Sequence, residues 1–442
     1  MAHVIVDPNH TRADKLVLES LDSDIELWAE GKSGLSEHGG TYTIESHMHT
    51  AGSEPRQKDA KDALILSAMD NMNDPNHKDF EPAIFNSWDF PGLQSKQLNR
   101  FLLRPYTRLA QRVVRNKVDV VMFTHLLLYF STSVPSALSL FLWNFSWLHG
   151  ILHFVMQVSY VGTYTLMMHQ HIHGNGILQK RLPYSLFDLI FPYITDPLMG
   201  HTWNSYYFHH VKHHHVEGNG PDDLSSTIRY QRDSVSHFLQ YVGRFYFFAP
   251  LELPCYFYRK GRAFMGVRST FWEVGNYLML YTLYKINPRA TICVFLLPLA
   301  LMRFGLMAGN WGQHAFVDNE EPDSDYRSSI TVIDVQSNRH SFNDGYHTSH
   351  HLNPLRHWRD HPNSFLKAKD TYASQDAIVF HNIDYIMITI RVLMKDYHHL
   401  AKCMVPIGDA QMAMSLDERA KYLQNRTRRF SEEEIQAKFG KA

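Results

Sequence analysis

The chain has 442 residues, 43 Lys and Arg against 44 Asp and Glu, and a formal net charge of −1. That balance leaves no basic field for nucleic acid. Three widely spaced cysteines, Cys255, Cys293 and Cys403, exclude a disulfide framework and a CxxC zinc module.

In chain order, the first stretch, "MAHVIVDPNHTRADKLVLES", lacks the apolar core of a signal peptide. Residues 1–100 form a polar N-terminal region. Its first 60 residues are expected to be mostly disordered, with Gly, Ser and His frequent in 31–60. A short helix is expected over Ala60–Asn71. Apolar sequence then concentrates in two pairs of segments. Val118–Trp143 carries no charge after Asp119, and Trp147–Met168 carries none. Each has the roughly 20 residues a helix needs to cross a bilayer. Only Asn144–Ser146 separates them, so they are expected as a tight hairpin. Residues 178–200, interrupted by Pro183, Pro192 and Pro197, read as an interfacial segment. Phe245–Tyr258, interrupted by Pro250 and Pro254, reads the same way. The second pair, Phe271–Ile286 and Thr291–Ala308, is weaker because it carries Glu273 and Arg303. Buried helices of a soluble core are the plain alternative for both pairs. Basic residues before the first span (Arg104, Arg108, Arg112, Arg115, Lys117) and before the third (Arg259, Lys260, Arg262, Arg268) mark the cytoplasmic side. The N-terminus, the middle segment 169–270 and the C-terminus then share that side. The tail Ser415–Ala442 is charged and helix-prone, with Ser415 as an N-cap. The expected fold is mainly α: an integral membrane domain over 101–365, with about four transmembrane helices in two hairpins under a cytosolic histidine-rich cap. A polar region (1–100) precedes it and a cytosolic helical tail (366–442) follows.

Histidine is the outlier, with 29 residues. His169 and His173 form HxxxH at the end of the second span. His210, His213 and His214 form HxxHH inside "HHVKHHH", which also holds His209 and His215. Asn310 and His314 form NxxxH after the fourth span. His347, His350 and His351 repeat HxxHH in "FNDGYHTSHHLNP". Residues three or four apart share a helix face, so one group could supply two or three ligands aimed at one point. Two hairpins return all four groups to one membrane face. A lone histidine such as His3, His38, His125, His237 or His381 needs no such reading, and "HHVKHHH" alone would suit a solvated loop or a metal-sensing patch. Imidazole suits zinc, iron, copper or nickel. No HExxH motif is present, no Glu-x-x-His pair marks a carboxylate-bridged bundle, and ten ligands exceed what one zinc uses. Two ions with open positions fit the count. His210, His214 and His215 are an alternative register for the second group. His171 should face away from His169 and His173, about 200° round the helix.

These motifs together resemble the membrane fatty acid desaturase and hydroxylase superfamily. Its HxxxH, HxxHH, HxxHH series is similar to His169/His173, His210/His213/His214 and His347/His350/His351. Its NxxxH is similar to Asn310/His314, and "GNGPDD" at 218–223 resembles the segment after its second box. The resemblance spans about residues 100–365. It implies two Fe ions held by these ten residues, O2 as co-substrate, a lipid or acyl substrate, and electrons from an external donor such as cytochrome b5 or ferredoxin. "EHGG" at 37–40 is only a partial match to the heme-binding HPGG of that donor. The implied reaction puts a double bond into an acyl chain. Hydroxylation or another oxidation of an acyl, sterol-like or carotenoid lipid is the alternative, and a histidine-rich metal transporter is a second. The implied location is the endoplasmic reticulum.

Carboxylates near the boxes are candidates to orient ligand rings: Asp222, Asp223, Asp318 and Asp344, with Glu217 weaker. His209 and His215 are supporting or alternative ligands. "DNEEPDSD" at 318–325 reads most simply as a solvated loop. Trp203, Tyr206, Tyr207, Trp311 and Phe342 are candidates to line a substrate channel.

Overall fold

The computed structural model describes residues 11–37, 57–86, 89, 96–333 and 336–440. His3, His38 and most of the Gly- and His-rich stretch around "EHGG" lie outside them. Among the described residues the chain is mainly helical, with one small sheet.

The N-terminal region expected to be mostly without structure contains the helix Arg12–Glu37. Val17, Leu18 and Leu21 recur on one face and are buried there. The helix packs on Gln57–Asn73, slightly longer than the expected Ala60–Asn71. Lys369 ties both to the C-terminal half, its Nζ 2.8 Å from Asp24, 2.6 Å from Asp62 and 2.9 Å from Ser20 Oγ.

The first apolar segment is two helices, Val120–Ser131 and Ser133–Leu142, broken at Thr132 (φ −124°, ψ −64°). Pro135 accounts for the break, because it has no N–H to offer the Ser131 carbonyl. The next helix, Trp147–Gly174, continues beyond the expected apolar stretch to carry His169 and His173. It lies against the first segment with residue numbers in opposite order. Tyr129 meets Tyr160 and Tyr164 (ring centroids 5.4 and 5.5 Å), Gln157 donates to Ser133 (2.9 Å), and Ser136 reaches His149 and His153 (both 2.9 Å). Asn175 ends the helix in the left-handed region (φ 53°), which Asn tolerates better than most residues.

Two expected interfacial segments are helices, Tyr184–Leu198 and Val235–Arg259. The second runs unbroken through Pro250 and Pro254, contrary to the expected interruption. Pro250 leaves the Tyr246 carbonyl without its helical donor; Arg303 Nη1 donates to it instead (3.3 Å). Ala263–Ile286 follows, then Pro288–Gln313.

Val120–Leu142 and Pro288–Gln313 are long and apolar enough to cross a membrane. Trp147–Gly174 and Ala263–Ile286 do not reach that apolarity. The first is diluted by histidines, and the second by Arg268, Glu273 and Lys285. Both nonetheless expose large apolar side chains: Leu148, Ile151, Leu152 and Val155 on one, Phe264, Phe271, Val274 and Leu278 on the other.

The remainder forms a cap over the helix ends. Strand β1 (Ile330–Ile333) pairs parallel with β2 (Ile378–His381), and β2 pairs antiparallel with β3 (Met404–Val405). All three strands are buried. The residues after 366 are part of this cap: Leu423 and Ala420 join the apolar cluster of Phe316, Ile330 and Phe380. Arg426 bridges Asp318 (2.6 Å) and Asp376 (2.5 Å).

Candidate metal centre

Four pieces of backbone deliver histidines to one place, and the end of the Pro288–Gln313 helix brings His314. The last two turns of Trp147–Gly174 carry His169 and His173. The π-helix Tyr207–His214 and the turn after it carry the second box. The short helix His347–Leu352 carries the third. β1 fixes that third piece: Val332 N–H donates to the Gly345 carbonyl (2.7 Å), and Asn338 bonds both Gly345 and Val332. No side chain fits at Gly345, where a Cβ would overlap Asn338 and Val332. Tyr346, just before His347, donates its hydroxyl to Asp14 on the first helix (2.6 Å).

Nine histidines gather into two groups, each with its ring nitrogens within 4.8 Å of one another. The first group is His169, His173, His210, His215 and His350. The second is His214, His314, His347 and His351. The groups adjoin through neighbours in sequence, His214–His215 and His350–His351, and the rings of His215 and His351 lie 5.1 Å apart.

Of the ten residues expected as ligands, eight are in these groups. His213 is not: its Nε2 lies against the Asp222 carbonyl (3.1 Å) and the Leu224 amide (3.2 Å), and its ring packs on Tyr256. His215 stands in its place, as in the alternative register. The backbone is the reason. A π-helix bonds i to i+5, so its wider turn aligns residues four and five apart rather than three and four. His210, His214 and His215 therefore converge, and His213 rotates away. Asn310 is also outside the groups. Its amide donates to Ser225 O (2.8 Å) and Tyr241 OH (2.7 Å).

The supporting groups divide similarly. His214 Nδ1 donates to Asp223 Oδ2 (2.7 Å), and Ser225 Oγ donates to Asp223 Oδ1 (2.8 Å). Burial would raise the buried Asp223 carboxyl, but His214 and His213 outweigh it and hold it below the ordinary range. Asp223 is thus a fixed carboxylate behind His214. His314 Nδ1 donates to the Ser328 carbonyl (2.7 Å), and Asp325 lies 3.6 Å from His351 Nδ1. Neither Ser328 nor Asp325 was singled out in the sequence; a backbone carbonyl leaves no residue signature. Asp222 points elsewhere, pairing with Lys260 (2.7 Å). Asp318 pairs with Arg426 and Arg327, in a segment braced by ion pairs rather than merely solvated. Asp344 accepts from Gln313 (3.1 Å), and burial pushes its carboxyl up to about 7. Glu217 accepts from Tyr256 (2.5 Å) and pairs with Lys260. His171 faces away, against the Asp188 carbonyl (3.1 Å). His209 sits by Phe245 and lines a cavity beside the first group with His201, Tyr206 and Leu253. Trp311 and Phe342 are buried in apolar clusters and do not themselves line that cavity. Another cavity, about 560 Å³ between the first helix and the C-terminal helices, contains none of the nine histidines.

The donor set fits a metal. Nε2 atoms approach head to head: His169–His210 2.7 Å, His169–His350 3.0 Å, His210–His215 3.1 Å, His215–His350 2.8 Å and His347–His351 3.0 Å. Neutral imidazoles carry one N–H and one lone pair each, so five nitrogens around one point cannot all satisfy one another. The buried His173 Nε2 has no hydrogen-bond partner among the described residues. Burial, then the neighbouring histidines, hold His210, His215, His347 and His350 well below the ordinary imidazole range. Near neutral pH they keep the lone pairs a cation requires.

Comparison with known families decides the identity. The fatty acid desaturase family model matches residues 145–382, more than half of the chain. The chain belongs to the fatty acid desaturase family. The match begins just before the Trp147–Gly174 helix, contains all nine grouped histidines and ends after β2. This desaturase-family chain is an oxidoreductase with a lipid substrate, and its apolar helices are consistent with a membrane protein. Neither a curated protein nor a solved structure matches it.

Proposed function

We propose that the chain is a multi-pass membrane enzyme that binds two irons and uses O2 to introduce a double bond into a fatty acyl chain. The convergence of nine histidine nitrogens in two adjoining groups is the observation that carries this reading. His169, His173, His210, His215 and His350 hold one iron. His214, His314, His347 and His351 hold the other. Iron bound there supplies the oxygen chemistry needed to break an unactivated C–H bond, which side-chain acids and bases do not provide.

The chain's own residues do the rest. Asp223, Ser328 and Asp325 fix the tautomer and aim of His214, His314 and His351 through their Nδ1 atoms. Asn310 acts one step behind, holding Ser225, which in turn holds Asp223. Tyr206, its ring 5.2 Å from His210, closes the cavity against the first group and keeps water from it. That cavity, about 80 Å³, takes a short segment of the lipid rather than the whole molecule. Electrons come from a separate protein, such as cytochrome b5 or ferredoxin. The exposed apolar faces of the Trp147–Gly174 and Ala263–Ile286 helices support four spans in two hairpins, with the histidine cap and both termini on the cytosolic face. An endoplasmic reticulum location rests on analogy with the family.

Metal analysis of the purified protein tests the metal assignment: about two irons per chain are expected, and His350→Ala should lose metal and activity together. A preparation active with zinc alone would overturn it. Lipid profiling in a host lacking the gene tests the reaction. A new double bond without added oxygen marks a desaturase, whereas a mass gain of one oxygen would show hydroxylation instead.

A further inference from the structure

Among the charged residues of the Ala263–Ile286 and Pro288–Gln313 helices, Glu273 and Arg303 pair with each other (3.0 Å). Ionisable groups on membrane-scale helices are costly, and they mark sites. Glu273 is nearly saturated. It accepts from Tyr277 OH (2.7 Å) and Arg303 Nη2 (3.0 Å) on one oxygen, and from Thr202 Oγ1 (2.8 Å) on the other. Arg303 is not. Its Nη2 serves Glu273 and Tyr277 OH (2.6 Å), and its Nη1 donates once, to the Tyr246 carbonyl. Of the five N–H groups of a guanidinium, Nε–H and one on Nη1 have no protein acceptor among the described residues.

Both charges line the cavity that Tyr206 and His209 share. Thr165, one turn before His169, packs behind that lining against His201. Thr165 Oγ1 touches His201 Nε2 (2.9 Å) and Met302 Sδ (3.4 Å), and Met302 adjoins Arg303. The pair shares that cavity with Tyr206, whose ring lies 5.2 Å from that of His210 in the first histidine group.

We propose that Arg303, braced by Glu273, is a docking point for a neutral oxygen group of the lipid, a hydroxyl or carbonyl part-way along the molecule. The pair carries no net charge. A carboxylate or phosphate would face Glu273 and bring an uncompensated charge into apolar surroundings. A plain hydrocarbon would leave the spare N–H groups without an acceptor, and a site built to bond an oxygen rejects the analogue that lacks it. The preferred substrate is therefore an oxygen-bearing lipid rather than an unfunctionalised chain. Calling it a substrate rests on the lipid-oxidising reading of the histidine groups; the docking point itself does not.

The test is competition binding on the full chain in nanodiscs, with a tritiated mid-chain secondary alcohol displaced by the ketone of equal length or by the parent alkane. Alcohol and ketone are expected to bind at least about tenfold more tightly than the alkane. The gap should close in Glu273→Gln/Arg303→Met, which removes both charges so that neither is left buried alone. If the double variant does not fold, Arg303→Lys replaces it; that variant keeps the charge and loses the planar spare donors. An alkane that competes equally on the natural chain, or a gap that survives in the folded variant, overturns the proposal. Iron content, measured on the same samples, keeps the two readings separate. An iron-free chain with the tenfold gap would remove the oxidase reading alone. An iron-loaded chain without the gap would remove the docking point alone.

Discussion

At the scale of single residues, the second box gives the clearest test, because two histidines two positions apart have different fates. His215 points at His210 and His350, whereas His213 is engaged with the Asp222–Leu224 backbone. His215→Ala should lose about one iron equivalent, and His213→Ala should keep both, with a modest loss of stability. Iron analysis of the two purified variants checks this; loss in His213→Ala with retention in His215→Ala would return the ligand set to the α-helical spacing. Asp223→Asn is expected to weaken metal retention by about 10- to 100-fold, because an amide holds His214 less firmly than a buried carboxylate. Chelator competition reads that change directly. Much of this centre was legible beforehand, since HxxxH, NxxxH and HxxHH are local patterns that survive any fold. The choice between His213 and His215 was not, because it depends on i to i+5 bonding, and no composition of "YFHHVKHH" announces it.

At the scale of elements, the site depends on how helices cross. Gly312, two residues before His314, lies where Pro288–Gln313 passes the Tyr385–Leu393 helix. A Cβ there would overlap the Tyr385 carbonyl and stand 2.9 Å from Thr389 Oγ1, which itself donates to the Ala308 carbonyl (2.7 Å). Gly312→Ala should cost about 1–3 kcal/mol, seen as a lower Tm by tryptophan fluorescence, together with weaker retention of the metal His314 helps to bind. A second joint is sensitive to pH. His357, just before the turn Trp358–Asp360, pairs with Asp119 at the start of Val120–Ser131 (3.1 Å). Burial pulls His357 down, but Asp119 outweighs it, so its pKa stands above the ordinary 6.5. A raised folded pKa stabilises fully below the unfolded value and is lost as pH climbs through the folded one. Tm should therefore fall as pH rises from about 6 to about 8, by a contribution of about 1 kcal/mol or less, and the fall should flatten in His357→Gln. The sheet was invisible in the sequence for a related reason: β1 and β2 are four-residue apolar runs 45 residues apart, without the length or alternation that marks a strand.

At the scale of the whole molecule, the proposed membrane arrangement brings four distant pieces of chain to one face. In the proposed four-span arrangement, the histidines of 169–173, 210–215, 314 and 347–351 share one face because each apolar excursion goes out and returns, which requires an even number of crossings. Two helices meet the apolarity of a span; the other two contribute exposed apolar faces while spending polar residues on the site. The even count makes opposite forecasts for the Asn144–Ser146 link and the C-terminal tail. Ser146 is exposed at the far end of the first helix pair, and Asp417 is exposed on the Leu416–Asn425 helix of the cap. In a Cys255→Ser background, which removes the exposed natural thiol, Ser146→Cys and Asp417→Cys can each be treated with a membrane-impermeant maleimide. In sealed vesicles with the cytosolic face outward, Asp417→Cys should react at once and Ser146→Cys only after detergent. If both react before detergent, Val120–Leu142 does not cross. The first histidine group would then have to be assembled at a membrane surface rather than at the end of a spanning helix.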